Sequence, residues 1–103
     1  IMKQEPFAPL VPMLSFKSFD EVIERANDND LGLCSYICTN SMEKAHRASE
    51  LMETGTVAVN TGFVAIAEAP FGGIKQTGYG REGGSMAIKD YLNVKYTHLG
   101  IKG

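Results

Sequence analysis

The clearest pattern in the sequence is a stripe of apolar residues at helical spacing between residues 18 and 29. The stripe consists of Phe19, Val22, Ile23 and Ala26. Ser18 followed by Glu21 has the form of a capping box, in which each side chain accepts a hydrogen bond from the other residue's backbone. The polar run 27–30 then ends the pattern. We therefore predict a helix over residues 18–29.

A second stripe at helical spacing predicts a helix over residues 42–53. Its members are Met42, Ala45, Ala48, Leu51 and Met52. Asn40 or Ser41 precedes the stripe and can cap the first turn. Gly55 follows at a position where a glycine commonly ends a helix, so the sequence supplies both boundaries.

Three short apolar segments predict extended structure. Residues 33–39 and 56–59 are short and partly β-branched or aromatic, which favours buried strands. Residues 5–16 carry three prolines, which exclude a regular helix and favour an extended, largely buried segment at a sheet edge. The apolar side chains of this segment are Leu10, Val11, Met13, Leu14 and Phe16. The order strand, helix, strand, helix, strand predicts an α/β fold with a parallel sheet.

Glycines dominate the next part of the chain, where six of the eleven lie between positions 72 and 84. Residues 78–83 match the dinucleotide-binding pattern G-x-G-x-x-G letter for letter. That site also needs a preceding strand and an acidic residue about 20 positions further on. The preceding GGIKQT is a poor strand, and the segment HLGIKG supplies no carboxylate. We interpret the glycines as turns with positive φ, with a small nucleotide- or phosphate-binding module using Gly78–Gly83 as the alternative.

The last part of the chain predicts a short helix over 85–91 and a strand over 92–99. Alternation places four residues on one face of that strand, namely Leu92, Val94, Tyr96 and His98. Because an unpaired strand edge favours a partner strand, we expect this segment to serve assembly. The alternative is a strand that docks on its own domain.

Composition narrows the class of protein. The chain has 103 residues, of which 44% are hydrophobic and 21% charged, and this balance argues against intrinsic disorder. A net charge of −2 disfavours a partner that is nucleic acid. No apolar run approaches the roughly 20 residues of a membrane helix, and no secretory signal is visible, so we expect a cytoplasmic protein without a membrane partner.

The cysteines and histidines form no recognisable catalytic group. On a strand, Cys34 and Cys38 would place their Cα atoms about 13 Å apart, too far for a disulfide. Neither has a base nearby in sequence, and metal binding would need further ligands, whereas His46 and His98 are isolated. We interpret both cysteines as buried thiols and His46 as a half-buried surface residue.

Arg81 and Glu82 stand beside the glycines. The pair could bind an anion, but we favour an ion pair that locks the loop.

Several stretches together resemble one known family. Residues 5–9 read EPFAP, like the segment E-x-F-G-P, and Asn60 closes the strand TVAVN. Residues 70–82 read PFGGIKQTGYGRE, like P-F-G-G-x-K-x-[ST]-G-x-G-R-E. In order and spacing these motifs resemble the C-terminal part of the aldehyde dehydrogenase superfamily over essentially the whole chain. The strings APFGGIKQTGYGREGG and DYLNVKY are similar to its succinate-semialdehyde dehydrogenase-like group. Ala8 stands where the family usually has glycine.

The resemblance implies a fragment of an NAD(P)-dependent enzyme that oxidises an aldehyde to an acid. Residues 1–91 would be the C-terminal part of the catalytic domain, and residues 92–103 an oligomerisation strand and tail. In that family a cysteine thiolate attacks the aldehyde, and a glutamate acts as base. Both precede this segment, and neither cysteine of this chain matches the nucleophile. The implied chain has no catalytic residue or metal, is inactive alone, and needs the rest of its own enzyme within a homodimer or homotetramer.

Five residues match functional positions of the resembled family. Glu5 matches the glutamate that binds the nicotinamide ribose of NAD or NADP, and Phe7 matches the phenylalanine beside the nicotinamide. Phe71 matches an aromatic wall of the substrate tunnel, and Phe63 and Ala65 match its mouth. Read alone, Glu5 is a solvated carboxylate and Phe71 a core residue. Succinate-semialdehyde dehydrogenases commonly have serine at the position of Ala65, and a methyl group cannot donate a hydrogen bond to a distal carboxylate.

Overall fold

A computed structural model describes residues 4–103 of the chain. Within that range it contains two α-helices, four strands and one 3-10 helix. In chain order these are α1 (Phe19–Asn27), β1 (Leu31–Gly32), β2 (Cys34–Ile37), α2 (Met42–Leu51), β3 (Thr56–Val59), β4 (Ile74–Lys75) and the 3-10 helix Ala87–Tyr91.

Helix α1 begins as the capping pattern predicts. The Ser18 hydroxyl accepts a hydrogen bond from the Glu21 amide at 3.2 Å. The Glu21 carboxylate accepts from the Lys17 amide at 2.8 Å, one residue before the cap. That backbone hydrogen bond is the main reason why the pKa of Glu21 is lowered. Desolvation acts in the opposite direction, and the neighbouring Arg25 lowers the pKa further. The first turn of α1 is therefore held by a charge-assisted contact.

Helix α2 begins at the predicted cap but ends differently. The Ser41 hydroxyl accepts from the Lys44 amide at 3.3 Å. The helix ends through Met52, whose φ is −71°, so the prediction of Gly55 as a terminating glycine is wrong. Gly55 is required for another reason, since a Cβ there would collide with the carbonyl oxygen of Gly72.

The two helices are joined at their C-terminal ends by one side chain. Asn27, the last residue of α1, donates from Nδ2 to the Leu51 carbonyl oxygen at 2.8 Å. Its Oδ1 accepts from the Glu53 amide at 2.9 Å. The Asn27 side chain therefore satisfies a carbonyl group in the last turn of α2 that has no partner within the helix.

The central sheet confirms the predicted parallel pairing. Strand β2 runs parallel to β3, from the pair Cys34 and Thr56 to the pair Ile37 and Val59, with α2 as the crossover. A second, antiparallel pair joins β1 to β4. Buried apolar side chains among the described residues belong to this unit: Ala45, Ala48 and Ala58.

Residues 5–16 differ from their prediction. They form no strand, and their six large apolar side chains, which include Phe7, are exposed. Strand β2 is half-buried, so its predicted burial is also wrong. The physical reason is that an α/β sheet buries its strands only when layers cover both faces, and residues 4–103 supply a partial cover.

The C-terminal part also lacks a regular strand. The predicted helix over 85–91 is a 3-10 helix over Ala87–Tyr91. Residues 92–103 are exposed and pair with no other strand within the described chain. A strand forms only against a neighbouring strand, so the predicted strand over 92–99 is absent here. The single chain therefore does not test their predicted role in assembly.

The chain exposes more surface than its size predicts. Its accessible area is 8949 Å² for a mass of 11.2 kDa, against about 5,700 Å² for a compact monomer of that mass. Its radius of gyration is 19.2 Å, against about 13 Å for a compact domain of this length. Many large apolar side chains are exposed in the described residues, Phe7 and Val94 almost entirely.

Candidate functional site

A loop that joins β3 to Phe71 carries two of the residues matched to the substrate tunnel. We call residues 61–70 the bridging loop. Phe63 is 74% exposed, and Ala65 is exposed as well. Phe71, at the end of the loop, is half-buried and borders an open cavity with Leu33 and Tyr91.

The bridging loop begins at a residue with unusual backbone geometry. Asn60 has a φ of 55°, in the left-handed region. Its Oδ1 accepts from the Thr39 amide at 2.9 Å, and its Nδ2 donates to the Thr39 carbonyl at 2.8 Å. The Asn60 amide also donates to the Ile37 carbonyl at 2.8 Å. The backbone of Asn60 thus continues the β2–β3 pairing by one hydrogen bond, and its side chain joins Thr39 at the point where the loop begins.

The other end of the bridging loop rests on the glycine-rich segment. Phe71 and Glu82 exchange both backbone hydrogen bonds at 2.7 Å. The Gly84 amide donates to the Ala67 carbonyl at 2.8 Å. Gly83 has a φ of 73°, and a Cβ there would lie 2.7 Å from the Ala69 carbonyl oxygen. Glycine is needed at this contact both for its dihedral angle and for the close approach.

The structure explains the glycine pattern without a nucleotide. Gly78 and Gly80 have φ values of 118° and 84°, as the interpretation of turns predicts. A two-residue strand precedes them, and a 3-10 helix of five residues follows. A dinucleotide-binding loop requires a full β-strand before it and an α-helix that opens from it. The two short elements of the described chain do not provide that arrangement.

Arg81 stabilises this segment differently from its prediction. Its guanidinium donates from Nη1 to the carbonyl oxygens of Gly73 at 2.9 Å and Gly80 at 2.7 Å. Its amide donates to the Asp90 carboxylate at 3.0 Å. The expected ion pair with Glu82 is therefore wrong, because the guanidinium binds backbone carbonyls and Glu82 contributes its backbone to Phe71.

Lys75 is a structural residue that sequence reasoning missed. Its Nζ donates to the carbonyl oxygens of Asn27 at 2.9 Å and Asn29 at 3.0 Å, at the end of α1. It also pairs with the Glu53 carboxylate at 2.5 Å. A lysine in a glycine-rich loop gives no sequence signal for these long-range contacts. For Asn60 a signal did exist, since an asparagine directly after a strand tolerates the left-handed region.

Glu5 and Phe7 lie in the extended N-terminal segment, apart in sequence from the bridging loop. Both side chains are exposed, and Phe7 is 96% exposed. The structure places them where a large partner could reach them. Their matched roles, like those of Phe63, Ala65 and Phe71, stay predictions.

The cysteines and histidines lie apart from the bridging loop in sequence. Cys34 and Cys38 are free, as predicted, but Cys34 is half-buried and Cys38 exposed, so their expected burial is wrong. A hydrogen bond with the Cys34 side chain raises the pKa of Tyr36. His46 is exposed rather than half-buried, and its Nε2 lies 3.5 Å from a Glu50 oxygen. No group of three or more potential metal ligands occurs in residues 4–103, and no helix of that range is long and apolar enough to cross a membrane.

Comparison with known proteins decides the family. The model of the aldehyde dehydrogenase family matches residues 1–97. The chain belongs to this family. It is 43% identical over 101 residues to the NADP(+) succinate-semialdehyde dehydrogenase of Escherichia coli, which covers 98% of the chain and 21% of that enzyme. It is 47% identical over 100 residues to the 3-sulfolactaldehyde dehydrogenase of Pseudomonas putida, covering 97% of the chain and 21% of that enzyme.

A solved relative confirms the α/β fold of the aldehyde dehydrogenases. The NAD+ complex of an aldehyde dehydrogenase from Bacillus cereus superimposes with a TM-score of 0.90 at 43% identity, over 97% of this chain and 20% of that chain. The chain thus spans about a fifth of the length of the curated relatives it matches. The resemblance in the motifs is confirmed, including relatives named succinate-semialdehyde dehydrogenase.

Proposed function

We propose that the chain is the C-terminal part of an NAD(P)-dependent aldehyde dehydrogenase that oxidises an aldehyde carrying a distal acid group, with succinate semialdehyde as the first candidate. The observation that carries this proposal is the family match over residues 1–97. Two relatives named for acid-bearing aldehydes support the substrate class, because succinate semialdehyde has a carboxylate and 3-sulfolactaldehyde a sulfonate.

The described residues suit a nicotinamide cofactor. The exposed Glu5 carboxylate can accept hydrogen bonds from two vicinal ribose hydroxyls, and the exposed Phe7 ring can lie against a flat heterocycle. When bound, NAD or NADP supplies the acceptor for the hydride that leaves the aldehyde carbon. Glu5 would hold and Phe7 would orient the cofactor.

The bridging loop is the proposed substrate surface. Phe63 and Ala65 would border the mouth of the tunnel, and Phe71 would form part of its wall. Ala65 offers a methyl group where a serine hydroxyl would bind a distal carboxylate. We therefore infer that the acid group of the substrate finds its hydrogen-bond donors outside position 65.

The exposed apolar surface of the chain supports the proposal that the rest of the enzyme and a neighbouring subunit pack against it. Residues 4–16 and 92–103 carry large apolar side chains that nothing in the described chain covers. The rest of the enzyme and a neighbouring subunit of a homo-oligomer, in the cytoplasm, would cover them. Cys34 and Cys38 match no catalytic position, so the nucleophile and the base would lie in the preceding part of the enzyme.

The test compares the purified chain with a longer protein that contains it. Each is incubated with succinate semialdehyde, a longer acid-bearing aldehyde and an uncharged aldehyde, with NAD or NADP. Absorbance of the reduced cofactor follows the reaction. We expect turnover by the longer protein alone, with preference for the acid-bearing aldehydes. Sustained turnover by the 103-residue chain would contradict the fragment assignment, and an inactive longer protein would contradict the function.

A further inference from the structure

We infer that Asn60 is a positioning residue that fixes the direction of the bridging loop and thereby selects the aldehyde. This inference rests on the proposed function, because it assigns the loop to the substrate. Asn60 itself would touch neither substrate nor cofactor. It would act through the residues that follow it, of which Phe63 is the nearest large one.

The first observation is the backbone of Asn60. A φ of 55° is uncommon for a residue other than glycine and is tolerated best by asparagine and aspartate. Such conformations persist where the surroundings hold them in place. Here the chain leaves the parallel sheet, so a change of the Asn60 dihedral angles would redirect the residues that directly follow it.

The second observation is the pair of hydrogen bonds made by the Asn60 side chain. The amide group satisfies both the N–H and the carbonyl of Thr39, at 2.9 Å and 2.8 Å. Thr39 lies just beyond β2, so the contact joins the exit of one parallel strand to the exit of its neighbour. Two bonds from one planar group fix its orientation as well as its distance.

The third observation is that the far end of the loop is held separately. The backbone exchange between Phe71 and Glu82 and the bond from Gly84 to Ala67 anchor that end. Between the two ends, the hydrogen bonds that Phe63 and Ile66 make within residues 4–103 go to Thr61 and Ala69 of the loop itself, and Phe63 is largely exposed. Release of the Asn60 anchor would therefore move the middle of the loop while leaving Phe71 in place.

Asn27 provides a matched control within the same chain. Its side chain also donates to one backbone carbonyl and accepts from one backbone amide, at 2.8 Å and 2.9 Å. Those bonds join α1 to the end of α2 and do not involve the bridging loop. A change at Asn27 therefore removes the same kind of contact at a site with no proposed role in binding.

The experiment uses the longer active protein with three variants: Asn60→Gly, Asn60→Asp and Asn27→Ala. Glycine adopts the φ of position 60 freely, so Asn60→Gly removes the anchor without adding strain. Aspartate keeps the acceptor for the Thr39 amide but loses the donor. For each variant kcat and KM are measured with a short and a long acid-bearing aldehyde, together with the cofactor KM and the melting temperature.

We expect Asn60→Gly to raise the aldehyde KM about tenfold and to change the preference between the two aldehydes, with kcat within about twofold. Asn60→Asp should raise KM less, and Asn27→Ala should lower the melting temperature without changing KM. Unchanged aldehyde KM and preference in Asn60→Gly would overturn the inference, as would an equal rise of KM in Asn27→Ala. If Asn60→Gly does not fold, Asn60→Asp decides by the same criterion.

A measurement without substrate separates this inference from the proposed function. Chymotrypsin cleavage after Phe63, followed by mass spectrometry, reports the freedom of the loop. Faster cleavage in Asn60→Gly than in Asn27→Ala supports the anchor, and equal rates overturn it. An inactive wild-type protein would overturn the proposed function instead, whatever the cleavage rates.

Discussion

The central segment, residues 19–59, differs from the two flanking segments, residues 4–16 and 92–103, in how much apolar surface it buries. All three segments contain large apolar side chains. The central segment forms both helices and the parallel pair of strands, and it contains the buried Ala45, Ala48 and Ala58. In the flanks, Phe7 and Val94 are almost entirely exposed. Because burial of apolar surface drives folding and association, the central segment covers part of its own apolar surface, whereas the flanks require other partners.

The largest expected effect comes from removing one flank. Deletion of residues 92–103 from the longer protein should convert its oligomer to smaller species or to aggregate, since the exposed apolar residues of this segment would lose their place in the assembly. Light scattering measures the change in mass. An unchanged oligomer of unchanged stability would show that the segment docks on its own domain.

A smaller but still large effect is expected in the central segment. In Gly55→Ala the new Cβ would collide with the backbone of Gly72, which cannot move away as a side chain could. We expect the free energy of unfolding to fall by about 3 kcal/mol, as measured by chemical denaturation. Gly62→Ala is the matched control, because a Cβ at Gly62 meets nothing within 4 Å. A stability change within about 0.5 kcal/mol is expected there, and equal losses in both variants would refute the collision.

These two regions also differ in how far the sequence alone predicts them. The sequence predicts Ser18 as one helix cap and Asn40 or Ser41 as the other, because capping is a local interaction, and the structure has Ser18 and Ser41. The order of elements predicts the parallel pairing that β2 and β3 adopt. The exposure of residues 5–16 was not predicted, since apolar composition shows that a segment needs cover but not where the cover comes from.

In the candidate site, too, the sequence predicts local features but not the contacts between distant segments. Positive φ at Gly78 and Gly80 could be expected from their residue type. The contacts of Arg81 with the carbonyls of Gly73 and Gly80, and of Lys75 with the end of α1, depend on tertiary geometry that no spacing reveals. The roles of Glu5 and Phe7 came from the family motif alone, because an exposed glutamate has no distinguishing physical feature.

The N-terminal flank should respond through catalysis rather than stability. In the longer protein, Glu5→Gln keeps the shape of the side chain but replaces the charged carboxylate, whose two oxygens would accept hydrogen bonds from the ribose hydroxyls, with a neutral amide. We expect hydride transfer to slow by the equivalent of about 1–3 kcal/mol, the range of a charge-assisted hydrogen bond. Steady-state kinetics with varied cofactor measure the change. Unchanged kcat and cofactor KM would argue against the predicted role, and an unchanged melting temperature would show that the Glu5 side chain adds little to stability.

The smallest effect concerns the start of α1, in the central segment. Hydrogen bonding from the Lys17 amide lowers the pKa of Glu21 relative to the unfolded chain. A carboxyl group with a lowered pKa in the folded state stabilises the fold above its unfolded pKa, and this contribution is lost as the pH falls through the lowered pKa of the folded state. Glu21→Gln should therefore reduce stability at pH 7 and have little effect at pH 3.

Chemical denaturation of the longer protein at both pH values measures this difference. Glu24→Gln serves as the control, because its carboxylate accepts no hydrogen bond among residues 4–103. The effect will be small, since Glu21 is partly exposed and solvent weakens its contacts. If Glu21→Gln lowered stability equally at pH 3 and pH 7, the contribution of Glu21 would not depend on its charge, and the charge-assisted nature of its contact with Lys17 would be refuted.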